Sequence, residues 1–105
     1  MSANFPPVLP AAKGAPVLWD ARQLISSFED GNEHGWHEEL QFLWFDDRER
    51  TMKLLDEVGN VGRIMEPVTV GHDRRVWDGH HRIAVALALS LPVPVVFAEE
   101  QEPSE

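Results

Sequence analysis

Cysteine is absent from the 105 residues, which excludes disulfides, thiolate metal sites and a cysteine nucleophile. An intracellular setting is the simpler expectation for such a chain. Basic residues are scarce: nine Lys and Arg stand against eighteen Asp and Glu, a formal charge of −9. A surface of that sign repels a phosphate backbone at long range, so duplex DNA is not expected to bind the chain on its own. Long apolar runs are missing as well. No stretch approaches the roughly 20 residues needed to span a bilayer, and the first residues lack a basic region followed by an apolar one. A cytoplasmic protein with no membrane contact, built as one domain around one modest core, is the expectation at this length.

What is present centres on Glu66 to Phe97. Val68-Thr69-Val70 and Val76-Trp77 are short β-prone runs separated by Gly71-His72-Asp73-Arg74, the pattern of a hairpin with a polar turn. Ile83 to Leu91 is apolar on every face except Ser90, as in a helix buried all round, and Pro92 is expected to stop it. Val93 to Phe97 then reads as a buried strand returning to the sheet. Between the hairpin and the helix lies Asp78-Gly79-His80-His81-Arg82. Asp78 is the N-cap candidate, with a carboxylate to accept the unpaired backbone N–H groups of His80 or His81. Gly79 permits a sharp turn and a close approach to a ligand. Free N–H groups, a helix dipole, two imidazoles and a guanidinium converge there, an arrangement that favours a phosphate. The alternative is a helix cap with Arg82 paired to a carboxylate and both histidines at the surface. Arg63, His72, Arg74, Arg75, His80, His81 and Arg82 lie near one another in sequence, so a small positive pocket is expected on an acidic protein.

These residues resemble the ParB/sulfiredoxin superfamily. The resemblance rests on Gly62 to Pro67, on Glu66 to Val70, on the box from Val76 to Ala84 and on the Leu91 to Val95 strand, about a third of the chain. It implies a fold in which the box opens a helix beside a nucleotide cleft. Members include CTP-dependent partition proteins, ATP-using sulfiredoxins, free serine kinases and small phage or plasmid proteins described as nucleases. Histidine here occupies the position of the reactive cysteine of sulfiredoxins, which removes that chemistry. The small, isolated domain resembles accessory proteins of phages or mobile elements, and fold kinship does not choose among activities.

The rest of the chain frames this unit. Residues 1–16 hold four of the eight prolines and read as a flexible arm, with Phe5, Val8 and Leu9 as candidates for docking on the body or a second subunit. The domain is expected over 17–98, and 99–105 is an acidic tail expected to be disordered. Val17-Leu18-Trp19 reads as a strand, and Asp20 caps a helix with Leu24, Ile25 and Phe28 on one face. Glu29 to Gly35 reads as a solvated loop. Kinase relatives imply an upstream catalytic carboxylate, which Glu33 or Glu38 would supply. His34 and His37 with Glu33 and Glu38 make a metal site on paper but lack a third well-spaced ligand. Trp36 to Phe45 reads as one helix with an apolar face wider than a small core needs: it packs into the core, or it presents Trp36, Leu40 and Trp44 as a partner or homodimer contact. Asp46 with Glu49 forms a capping box for the next helix, carrying Met52, Leu55 and Val58 inward and ending at Gly59.

The expected fold is α+β, a small mixed sheet with packed helices of the ParB/sulfiredoxin kind. The expected function is binding of ATP or CTP with Mg²⁺: Gly79, His80, His81, Arg82 and Arg63 hold phosphates, and Asp78 meets the metal ion. Any turnover would be phosphoryl transfer or phosphodiester hydrolysis with His80, His81 and Asp78 as the catalytic groups. The alternative is a non-catalytic module that binds a partner protein, such as a host protein if the chain is phage-encoded, through the Trp36 to Phe45 face.

Overall fold

Valine alternation and the run of apolar residues after Arg82 decide the centre of the molecule. The computed structural model describes residues 15–98, so residues 1–14 of the expected arm, with Phe5, Val8 and Leu9, and the tail at 99–105 lie outside the described residues. The elements are β1 (Val17–Trp19), α1 (Ala21–Ser27), α2 (Trp36–Gln41), a π-helical turn (Phe42–Asp46), α3 (Arg48–Val61), β2 (Val68–Val70), β3 (Val76–Asp78), α4 (His80–Leu89) and β4 (Val93–Phe97). They form a small α+β domain with a four-stranded mixed sheet in the order β1-β4-β2-β3. β2 and β3 pair antiparallel as the expected hairpin, β4 lies parallel to β2, and β1 runs antiparallel to β4 at the far edge.

Gly71 sits directly beneath the Trp77 ring, where an added Cβ would lie 2.0 Å from an indole carbon. Val68, Val70, Val76, Val93 and Val95 turn inward against Leu24, Phe28, Val58, Ile83, Val85 and Ala86. Each valine, leucine, isoleucine or phenylalanine among them contributes about 1.5–3 kcal/mol by leaving water. Beside them Trp19, Phe28 and Phe97 form an aromatic trio with ring centroids 5.3 to 6.0 Å apart.

Several local expectations change. Helix α4 is fully buried only from Ile83 to Ala86; Ala88 and Ser90 reach solvent. It ends at Leu89, with Ser90 in the left-handed region (φ 58°), before Pro92 is reached. Helix α3 runs through Gly59 and stops at Gly62 (φ 91°), whose N–H bonds the Val58 carbonyl. A glycine within a helix costs only about 1 kcal/mol, and the buried Val58 and Ile64 that flank the helix end outweigh it. At its other end Asp47, not Asp46, is the N-cap, and its side chain makes no capping bond.

The largest change concerns Trp36 to Phe45. One helix was expected, but after Gln41 the chain widens into the π-helical turn, in which the Asp47 N–H bonds the Phe42 carbonyl at 2.9 Å. The hydroxyl of fully buried Thr51 reaches back to the Leu43 carbonyl at 2.5 Å, joining the turn to α3. The wider winding sends Leu43 inward and leaves Phe42 and Phe45 exposed, at 44% and 71%. Trp36, Leu40 and Trp44 are half-buried. Trp36 donates its indole N–H to the Phe28 carbonyl at 2.8 Å and packs on the core. Within this segment Phe42 and Phe45 are thus the most open aromatic side chains, while Trp36, Leu40 and Trp44, the residues the helical spacing selected, are partly covered.

Candidate functional site

Gly79 takes a backbone conformation (φ 104°) that other residues rarely adopt, and a Cβ there would lie 2.7 Å from Val68 Cγ2. It forms the N-cap of α4 and so supplies the turn with no side-chain cap of its own. The expectation that Asp78 caps the helix is therefore corrected. Asp78 ends β3 with its side chain 73% exposed, and its carboxylate comes only to 3.9 Å from Arg82 Nη1.

The three side chains of the box are engaged by the protein itself. His80 Nε2 meets the carbonyl of Asp30, with the Trp36 ring 6.0 Å away. His81 Nε2 shares a 2.6 Å hydrogen bond with Asp47 Oδ2 at the start of α3. Arg82 donates from Nη1 to the Pro67 carbonyl at 2.9 Å and from Nη2 to Glu66 at 3.3 Å. Those contacts hold α4 against the loop, α3 and the entry to β2.

In front of the uncapped turn lies a cleft of about 410 Å³, lined on the α4 side by Asp78, Gly79, His81 and Arg82 and on the α3 side by Arg50, Lys53, Leu54 and Glu57. Sequence reasoning missed Arg50 and Lys53, because on a helix they read as ordinary solvent-facing charges. A second cleft of about 400 Å³ adjoins it, sharing Leu54, Glu57 and Arg82 and continuing over Val58, Val61, Ile64 and Met65. Arg63 belongs to this second cleft and hydrogen-bonds the Met65 sulfur at 3.3 Å. Other basic residues grouped by sequence are elsewhere. Arg74 lies over the Phe28 ring at 5.0 Å and donates to the Ser27 carbonyl. Arg75 approaches Glu29 and Glu33, and His72 packs edge-on against Trp77.

A different polar cluster occupies the loop between α1 and α2. Asp30 and Glu39 are buried, at 3% each, and His34 stands between them, 3.4 Å from Asp30 Oδ2 and 2.7 Å from Glu39 Oε1. Asn32 also donates to Glu39 Oε1, at 2.8 Å. The hydrogen bond to Glu39 raises the His34 pKa above its usual value, and the nearby Asp30, Glu39 and Glu38 charges add to that against a smaller opposing effect of burial. Of the four residues assembled on paper as a metal set, only His34 takes part. Glu33, His37 and Glu38 are exposed, and Glu33 turns toward Arg75 at 3.5 Å. The residues that join His34 were passed over because their convergence depends on Glu33 adopting a left-handed conformation (φ 68°).

No helix among the described residues is long and apolar enough to cross a membrane. No family model matches the chain, and no curated protein or solved structure is significantly similar to it.

Proposed function

We propose that the cleft between α3 and the start of α4 binds a nucleoside triphosphate, ATP or CTP, with Mg²⁺. The observation that carries this reading is the uncapped first turn of α4 opening on a cleft whose opposite wall bears Arg50 and Lys53. Backbone N–H groups at a helix start have no intrahelical acceptor and sit at the positive end of the dipole, which suits phosphate oxygens. Arg50 and Lys53 would then act as charges from across the cleft, with the exposed Asp78 available to a Mg²⁺ ion held by the phosphates. The adjoining cleft over Val58, Val61, Ile64 and Met65 offers apolar surface for a base. The resemblance of the box to ParB-like domains supports the same assignment.

Turnover, if it accompanies binding, falls to His81. It lines the cleft while Asp47 holds its Nε2, and a carboxylate partner of this kind orients an imidazole for proton transfer. His80 is turned to the Asp30 carbonyl and serves as a tether between α4 and the loop.

Binding is tested by melting the protein with and without MgATP and MgCTP at millimolar concentration. A ligand at about 100 times its Kd adds about 2.7 kcal/mol, and each kcal/mol raises the Tm of a domain this size by about 4–8 °C. The double substitution Arg50→Ala, Lys53→Ala should remove most of the rise. No change in the ligand-free Tm is expected, since Arg50 is 76% exposed and contributes only a long contact to Asp47. A wild-type melt unmoved by either nucleotide would remove the reading.

A second reading has its own observation. Phe42 and Phe45 project from the π-helical turn, and exposed aromatic side chains of this kind serve as contacts with another protein, here a second copy of the chain. In that case the box would be a structural joint and the domain an interaction module.

A further inference from the structure

We infer that Asp30, His34 and Glu39 form a binding site for a divalent transition-metal ion of the Zn²⁺ type, a site separate from the nucleotide cleft and independent of that reading. Their ligand atoms all lie within 4.8 Å of one another. Three tetrahedral ligands ~2.1 Å from one zinc ion stand ~3.4 Å apart, so the cluster would contract by up to about 1.4 Å on binding. Proximity alone would not carry the inference, because acidic groups often gather without an ion. The second observation is Asp30 Oδ2, a carboxylate oxygen of a residue only 3% exposed, which has no hydrogen-bond partner among the described residues. It lies 3.4 Å from His34 Nε2 without forming a hydrogen bond.

Buried ionised groups are ordinarily paired, hydrogen-bonded or bound to a metal. Here one imidazole faces two buried carboxylates, and only the Glu39 carboxylate is hydrogen-bonded by it. A divalent ion at the point where the three atoms converge would take the free Asp30 oxygen as a ligand and balance both negative charges. His34 is the most open of the three, its side chain 38% exposed, so ion and solvent would enter from its side. Three protein ligands with a solvent position is the arrangement of an open zinc site. An imidazole among the ligands favours Zn²⁺ over Mg²⁺ or Ca²⁺, which take all-oxygen sites.

The surrounding structure supports a fixed position. Asp30 is anchored through its own carbonyl to His80, and the adjoining Glu29 is bridged to β3 through hydrogen bonds with Arg74 and Val76. Gly31 packs so closely on the Val76 carbonyl that an added Cβ would lie 2.3 Å from it. Glu39 projects from helix α2 and is oriented by Asn32. Two of the three ligands are thus set by elements that the fold already holds, and His34 closes from the loop.

The test is titration of the metal-free full chain with ZnCl2, read by calorimetry and by competition with a chromophoric chelator, with MgCl2 and CaCl2 as comparisons. One equivalent of Zn²⁺ should bind and raise the Tm, with neither Mg²⁺ nor Ca²⁺ reproducing it. Asp30→Asn and His34→Ala should each weaken Zn²⁺ binding at least about 10-fold, the scale on which even supporting residues affect metal sites. His34→Ala keeps the test usable should Asp30→Asn disturb the fold, because His34 is exposed. Absence of stoichiometric Zn²⁺ binding to the wild type would overturn the inference. So would Zn²⁺ binding of undiminished affinity in His34→Ala, which would place the ion on other histidines, or equal binding of Mg²⁺, which would mark a merely acidic cluster.

Discussion

The start of α4 and the loop from Asp30 to Glu39 are both rich in polar side chains, and they differ in what those side chains still lack. At the start of α4, His80, His81 and Arg82 already have partners in the protein, and the turn, with glycine as its N-cap, borders a cleft. In the loop the reverse holds: the side chains converge on a point, and a buried carboxylate oxygen has no hydrogen-bond partner among the described residues. The lesson is that motif density and unmet bonding capacity are different quantities. A box dense in conspicuous residues can be largely a joint, while an inconspicuous loop retains the ability to bind.

Gly31 is the position at which that contrast breaks down, since it adjoins Asp30 in the loop and packs on β3 beside the His80 tether of α4. Gly31→Ala should have the largest effect. The residue has φ 87° and no room for a Cβ against the Val76 carbonyl. A strained backbone and a steric clash together should cost about 2 kcal/mol or more. Denaturant unfolding should show that loss, and both nucleotide and Zn²⁺ binding should fall with it. Should Gly31→Ala melt as the wild type does, the loop is not seated as described.

Arg82→Ala sharpens the comparison. Removing the guanidinium leaves the Pro67 carbonyl without its side-chain donor, a loss of about 1–3 kcal/mol. Nucleotide binding should weaken while Zn²⁺ binding stays at the wild-type level, because Arg82 contacts no member of the loop cluster. The stability cost means that a failed nucleotide response in this variant reports on the joint as well as on the ligand. Arg50 and Lys53, which make no comparable internal contacts, separate the two.

Phe45 should show the smallest effect on the folded chain. Phe45→Glu lies on the exposed side of the π-helical turn, and surface changes of this kind move stability by about 0.5 kcal/mol or less. Sedimentation of the wild type as a dimer and of Phe45→Glu as a monomer would favour the interaction reading. Equal sedimentation of both as monomers would remove self-association from it.

Much of the fold around the box was legible because its signals are local. Alternating valines with a polar tetrapeptide between them specify a hairpin, and the apolar run after Arg82 specifies a helix, though not its burial beyond Ala86 or its end at Leu89. Helix α1, with Leu24 and Phe28 inward, follows from the same period. The boundaries were less legible. Gly59 and Gly62 are equally plausible helix ends on propensity, and the choice went to the residue beyond which Ile64 could be buried. The π-helical turn was not legible at all, since 3.6-residue spacing assumes regular winding, and a single widened turn moves Leu43 inward and Phe42 and Phe45 outward.

By itself the sequence determined the chemistry available: no thiol, an acidic surface, a glycine where α4 must start, and valine-rich strands on either side of a helix. It also determined the α+β class, because alternation and helical period act over a few neighbouring residues. Only the tertiary structure decided which groups meet. Arg50 and Lys53 face the box across a cleft because α3 packs beside α4. Asp30, His34 and Glu39 converge because the loop turns back on itself through Glu33 and is held on β3 by Gly31. Those meetings depend on backbone turns and long-range packing, and neither is encoded in the spacing of the residues involved.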